Sequence, residues 1–218
     1  MNERQTWDNV TSLLGNQKVE FGHHWSYNFR NDPKRLGFVL SRYKFAAKMT
    51  RARNTICELG CSEGLGAPIL AEGKQAFYGI DLDKGAIASA KQNLSDSKYT
   101  FVYDDFMGKK YGNFEAIVSM DVIEHIQPEH ENLYFQTVLQ NLSLNGICVI
   151  GTPNITSAPY ASEASQIGHI NLYSQQRLKN KLHEYFHTVF AFGMNDEVVH
   201  TGYHAMSHFI ICIAFDQK

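Results

Sequence analysis

Carboxylates recur at the ends of short apolar runs in the middle of this chain. Asp81 closes "AFYGI", Asp104 and Asp105 close "TFVY", and Asp121 closes "EAIVSM". Upstream lies a glycine-rich stretch, "ICELGCSEGLGAPIL" at 56–70, where Gly60 and Gly64 let the backbone turn sharply and approach a ligand closely. Asp81 comes 21 residues after Gly60, the spacing at which an acid reaches the ribose hydroxyls of a nucleotide-like ligand. Such contacts are charge-assisted and stronger than neutral ones. Asp83 is expected to cap the helix that follows. The stretch is not a phosphate loop. Ser62 stands where G-x-G-x-x-G has its second glycine, no G-K-[ST] follows, and Glu58 and Glu63 flank Gly60 without a nearby Lys or Arg. Those acids repel a pyrophosphate and suit a cationic, phosphate-free nucleoside. Ser62 is tolerable there if the backbone keeps a negative φ.

Histidine exchanges protons near neutral pH, and His125 in "DVIEHI" and His169 in "GHINLYS" stand out by position among ten. The alternative for each is a loop histidine bonded to backbone. His200 and His204 are four apart, as in helical zinc pairs, but "HTGYH" makes a poor helix and lacks a third ligand. No metal is expected. "HHW" at 23–25, with Tyr27 and Phe29, is either a lid offering stacking contacts or a plain hydrophobic anchor.

The scaffold that positions these residues is one well-buried domain, as 218 residues with 44% hydrophobic and 19% charged side chains allow. A formal charge of -2 without a basic run excludes the electrostatic footprint of a nucleic-acid binder. The longest apolar run, "FIICIAF", is far short of the roughly 20 residues of a bilayer span, and the polar start is no signal peptide. A soluble, cytoplasmic protein is expected, with Cys57, Cys61, Cys148 and Cys212 as reduced, buried thiols.

Residues 1–50 read as an aromatic arm or lid of one or two helices, and residues 51–218 as the main domain. There "NTICEL", "AFYGI", "TFVY", "EAIVSM" and "ICVIG" read as strands separated by helices, including "KGAIASAKQNL" and "HENLYFQTVLQNLS", with a turn at Asn145-Gly146. "TVFAFGM" and "SHFIICIAF" read as an antiparallel C-terminal hairpin. The expected fold is α/β: a doubly wound, mostly parallel seven-stranded sheet with helices on both faces and its ligand beyond the carboxyl ends of the strands.

In this order and spacing, "ICELGCSEG", "GIDLDKGAIASAKQN", "FVYDDF", "FEAIVSMDVIEHI" and "NGICVIGTPN" resemble the class I S-adenosylmethionine-dependent methyltransferases. The resemblance covers about residues 40–215, closest to the small-molecule group that includes the ubiquinone-biosynthesis O-methyltransferases. It implies S-adenosylmethionine as cofactor. Glu58, Gly60, Ser62 and Gly64 then form the loop holding its methionyl part, Asp81 takes the ribose, and Leu82 packs on the adenine. Asp104 or, preferentially, Asp105 accepts from the adenine amine beside the Phe106 amide, and Met120 lines the reactive methyl. His125 belongs to an acid–His pair beside the acceptor, and His169 lies in a segment that covers it; either is a candidate base. A Glu124–His125 magnesium site, suggested by some relatives, is set aside. Enzymes that methylate base amines carry an Asn/Asp-Pro-Pro-aromatic stretch where this chain has "MDVIEH", so a small-molecule acceptor, an oxygen of a sugar, quinone-like or secondary metabolite, is expected rather than nucleic acid. The remaining alternatives are an NAD-type oxidoreductase and a non-catalytic cofactor-binding protein, either as monomer or homodimer.

Overall fold

In the computed structural model, which describes residues 2–16 and 18–218, the alternating runs join into one eight-stranded sheet. Its strands are β1 (Thr55–Leu59), β2 (Ala76–Asp81), β3 (Tyr99–Tyr103), β4 (Phe114–Met120), β5 (Leu142–Pro153), β6 (Phe186–Asn195), β7 (Val198–His200) and β8 (Phe209–Gln217). They lie in the order β3-β2-β1-β4-β5-β8-β6-β7. The first five are parallel; β8 runs antiparallel to both β5 and β6. Strand order reverses between β1 and β4, the place where an open sheet leaves a crevice for a ligand.

The sheet has one strand more than expected. "MNDEVVH" is a tight turn at Asp196, φ 49°, that returns β7 onto β6. The Asn145-Gly146 turn is a bulge within β5: Leu142 pairs with Phe114 and Ile147 with Ala116, so residues 143–146 loop out.

Alternation along the strands feeds two cores. Ile56, Phe77, Phe101 and Val118 point to one face and pack under α3 (Lys34–Met49), α4 (Ala67–Leu70) and α5 (Lys84–Asn93). Cys57, Ile80, Ile117 and Ile150 point to the other and pack under α6 (Glu131–Asn141) and α8 (Gln175–His183). Asp83 caps α5 as expected, accepting from the Gly85 and Ala86 amides at 2.7 and 3.0 Å. The short α7 (Glu163–Gly168) lies in the segment between β5 and α8.

The N-terminal region holds three helices, not one or two. Helix α1 (Glu3–Leu14), closed by an Asn2–Gln5 capping box, buries no residue. Helix α2 (His23–Asn31) and α3 bury Trp25, Val39, Tyr43 and Ala46 against the first core. Among the described residues no helix is long and apolar enough to cross a membrane. All four cysteines are buried and unpaired.

Candidate active site

A cavity of about 780 Å³ opens over the carboxyl ends of β1, β2 and β4. Its floor begins at Gly60, where φ is 79° and a Cβ would stand 2.2 Å from Val122 Cγ2, so both backbone and space demand glycine. The Gly60 and Cys61 amides donate to the Ile80 carbonyl at 2.8 and 3.1 Å and pin the loop to β2. Ser62 does not keep a negative φ. It sits at 47°, in the left-handed region, and its amide donates to Asp81 Oδ2 at 2.7 Å. The other Asp81 oxygen accepts from the Asp83 amide at 2.8 Å. Of about four lone-pair sites on the carboxylate, two remain for a ligand.

Leu82 lines the same wall and is 70% exposed, an apolar surface left open beside Asp81. Phe106 and Met120 are buried and line the cavity together with Asp105. Asp104 is turned away. It accepts from Lys109 Nζ at 2.6 Å and the Tyr111 hydroxyl at 2.8 Å, which hold its carboxyl below the ordinary range.

Glu58, Glu63 and Gly64 lie off this cavity. Glu58 is fully buried beside Tyr43, and burial pushes its pKa up to about 8, so it is protonated at neutral pH. Glu63 is spent on the start of α2, where His24 N–H donates to it at 2.7 Å. Gly64, φ 73°, packs against Ala90 and Phe101. The loop acids that pointed to a cationic ligand therefore do not face it. The carboxylates on the cavity wall are Asp81, Asp105 and Asp121, which leave the same preference for positive charge.

Asp121, φ 57°, is locked by Arg42 Nη1, 2.7 Å from both of its oxygens, and the Arg42 guanidinium lies 3.6 Å from the centroid of the Phe209 ring. Sequence reasoning gave Arg42 no role, because the pair is separated by 79 residues. It also missed Arg35, Val39 and Tyr43, which line the cavity with His24 and Trp25. Only "HHW" signalled this roof. The Arg35 guanidinium makes no ion pair among the described residues, and its buried Nε lacks a partner.

His125 and His169 meet at the far end, their rings edge to face with centroids 5.1 Å apart. His125 Nδ1 lies 2.8 Å from the Gly168 carbonyl, which can only accept; that nitrogen carries the proton and Nε2 keeps a lone pair. Burial, then the neighbouring His125, pushes the His169 pKa down. Buried Glu124 joins them: Oε2 accepts from Thr152 Oγ1 at 2.9 Å, and Oε1 has no partner. Burial, then Asp121, pushes its pKa up. Ligand atoms of Glu124, His125 and His169 lie within 4.8 Å of one another, a donor set able to hold a divalent cation and an arrangement the spacing of "DVIEHI" and "GHINLYS" did not lead us to expect. Tyr173 belongs to the packing: fully buried, its hydroxyl donates to Glu131. A second groove of about 650 Å³, lined by Phe38, Tyr160, Leu172 and Phe209, meets the cavity at Arg35, Asp121 and His169.

A parallel sheet of this order with an antiparallel β8 between β5 and β6, and a ligand cavity walled by carboxylates, is the arrangement of the class I S-adenosylmethionine-dependent methyltransferases. Comparison with known proteins agrees. Residues 30–185 match the methyltransferase-domain family, and the chain belongs to it. It is 25% identical over 140 residues to a ubiquinone biosynthesis O-methyltransferase of Psychrobacter arcticus, a match covering 61% of this chain and 54% of that protein. The chain thus spans about half the length of this curated relative. A methyltransferase structure from Clostridium acetobutylicum superposes with a TM-score of 0.68 at 10% identity, covering 88% of this chain and 97% of the other. The N-methyltransferase NodS of Bradyrhizobium japonicum, solved with S-adenosylhomocysteine, gives 0.63 at 15% identity over 87% and 90%. Family membership removes the oxidoreductase alternative.

Proposed function

We propose that this chain methylates an oxygen of a small molecule, such as a sugar, a quinone-like ring or another secondary metabolite. The observation that carries this is the convergence of Gly60, Ser62, Asp81, Leu82, Asp105, Phe106 and Met120 on one cavity that has His125 and His169 at its far end. Bound there, S-adenosylmethionine supplies an electrophilic methyl whose bond to sulfur breaks as the acceptor oxygen attacks in line. Asp81 receives the ribose hydroxyls on the lone pairs that Ser62 and Asp83 leave free. Leu82 and Phe106 flank the adenine, and Asp105 accepts from its amine. Arg35, a cation without a partner, faces the methionyl carboxylate. Asp121 and Met120 border the methyl.

The second groove admits the acceptor, because it joins the cavity at His169. His169 is the base: held neutral by burial and by His125, it takes the acceptor's proton. Holding acceptor and methyl in line lowers the barrier by roughly 7 to 11 kcal/mol through proximity. The likeness to an O-methyltransferase supports an oxygen acceptor. A second reading of the same end rests on the unpartnered Glu124 Oε1: Glu124, His125 and His169 would hold a divalent cation, which would supply Lewis acidity to an acceptor hydroxyl.

Residues 1–50 serve as an arm of which α2 and α3 roof the cavity, and residues 51–218 as the cofactor domain. Four unpaired thiols support a reducing, cytoplasmic setting. The near-neutral charge of -2 supports a small-molecule acceptor rather than nucleic acid or a membrane, for a monomer or homodimer.

The test is thermal unfolding with S-adenosylhomocysteine and with NAD. The first raises Tm, the second does not, and Asp81→Ala abolishes the rise. No shift at millimolar S-adenosylhomocysteine ends the reading. Binding without transfer of labelled methyl to any small-molecule extract favours a non-catalytic cofactor-binding protein.

A further inference from the structure

We infer that Glu63 is a positioning residue that ties the cofactor loop to the roof of the cavity, an inference resting on the cofactor reading above. Helix α2 begins at Gly22 with no side-chain cap of its own. Its first free amides are satisfied from outside: His24 N–H donates to Glu63 Oε1 at 2.7 Å and Trp25 N–H to Oε2 at 3.4 Å. A carboxylate there completes a helix start and meets the positive end of its dipole. Glu63 is only 7% exposed, and a Cβ on Gly22 would stand 2.6 Å from its Cδ, so the helix start closes directly over the carboxylate. Further along the arm, the Asn93 side chain accepts from the Glu20 amide at 3.0 Å and donates to the Glu20 carbonyl at 2.8 Å.

The placement of Glu63 gives this contact its consequence. It directly follows Ser62, whose amide holds Asp81. On the other side, the two amides it receives belong to His24 and Trp25, which line the cavity. One short loop therefore sets both the ribose acid and the roof, so loop geometry and arm closure stabilise each other.

The experiment uses the full chain, with hydrogen exchange of residues 20–31 and the dissociation constant of S-adenosylhomocysteine as paired readouts. Glu63→Ala strips protection from residues 20–31, leaves β4 and β5 protected, and weakens S-adenosylhomocysteine by about tenfold, the scale of one lost helix cap. Glu63→Gln, which keeps an oxygen acceptor, retains most of both. Gly22→Ala, which pushes the carboxylate away without removing it, follows Glu63→Ala. Unchanged protection and affinity in Glu63→Ala overturn the inference. So does weakened affinity with full arm protection, which would mean that Glu63 touches the ligand directly. If even the wild-type chain fails to bind S-adenosylhomocysteine, the cofactor reading fails, while the exchange of residues 20–31 still decides whether Glu63 holds the arm.

Discussion

The Ser62 amide donates to Asp81 Oδ2 at 2.7 Å, and it reaches that oxygen only because Ser62 adopts φ 47°. A serine in the left-handed region gives up about 1–2 kcal/mol relative to glycine. The strained residue and the ribose acid are thus one unit, in which the turn orients the carboxylate.

Replacing Ser62 by glycine relieves the turn, offset by about 0.5–1 kcal/mol of added chain entropy in the unfolded state. Ser62→Gly is expected to raise Tm by about 1 to 3 °C, on a scale of about 2–4 °C per kcal/mol for a chain of this size. S-adenosylhomocysteine affinity stays at the wild-type level. Ser62→Val, β-branched at a positive φ, lowers both Tm and affinity. Calorimetry and ligand titration read the two effects, and a Ser62→Gly protein less stable than wild type would contradict the strained turn.

Arg42 and Asp121 form an ion pair where the cavity meets the second groove, with side chains 11% and 27% exposed. Arg42→Met leaves the Asp121 carboxylate without its counter-ion and removes the stack on Phe209. The expected loss is about 2–3 kcal/mol, below the 3–5 kcal/mol of a fully buried pair because Asp121 reaches solvent. Arg42→Lys recovers only part, since an ammonium can take up the contact of Nη1 with both oxygens but does not stack on Phe209 as a guanidinium does. Urea unfolding of the two variants beside Asp121→Asn measures the pair, and a neutral Arg42→Met would show that the carboxylate needs no partner.

Much of this was legible in the sequence. Strand and helix alternation, the Asp83 cap and the Gly60 turn are local: each follows from period, capping chemistry or spacing within one segment. What escaped is what tertiary structure decides. Glu58 and Glu63 look alike in sequence, yet one is buried under the loop and the other is drawn to a helix start 39 residues earlier. The sign of φ at Ser62, the edge strand β7 and the roof from Arg35, Val39 and Tyr43 depend on contacts between segments that no period encodes. Asp104 and Asp105 separate only once Lys109 and Tyr111 fold back onto the first.

Glu58 makes stability fall with rising pH. Burial raises its pKa to about 8, above the unfolded value near 4.3, so between those limits the folded state binds the extra proton. Stability is therefore lost as pH rises from about 4.5 to about 8, and is level beyond. Glu58→Gln mimics the neutral form. Its Tm is expected to match wild type at pH 5 and to exceed it by several degrees at pH 8.5. A Tm difference that does not grow across this window would mean that Glu58 is ionised in the fold.

Buried Glu124, beside the His125 and His169 that line the cavity, supports a metal prediction separate from cofactor binding. Their ligand atoms lie within 4.8 Å of one another, and His125 already presents Nε2 because Nδ1–H is held by Gly168. Titration with Mn²⁺, read by electron paramagnetic resonance, separates the two readings of this end: no tightly held ion if His169 is the free base, one ion per chain if the cluster ligates. Glu124→Gln, which removes the only carboxylate of the three, and His169→Ala each weaken it by at least about tenfold. Affinity also drops as pH falls, because Glu124, whose pKa burial raises, must be ionised to ligate. The Tm rise caused by S-adenosylhomocysteine persists in EDTA, since Gly60, Asp81 and Asp105 lie outside the three-residue cluster. If Mn²⁺ binds Glu124→Gln as tightly as wild type, the cluster is not the ion's site, and His169 acts as a base without a metal.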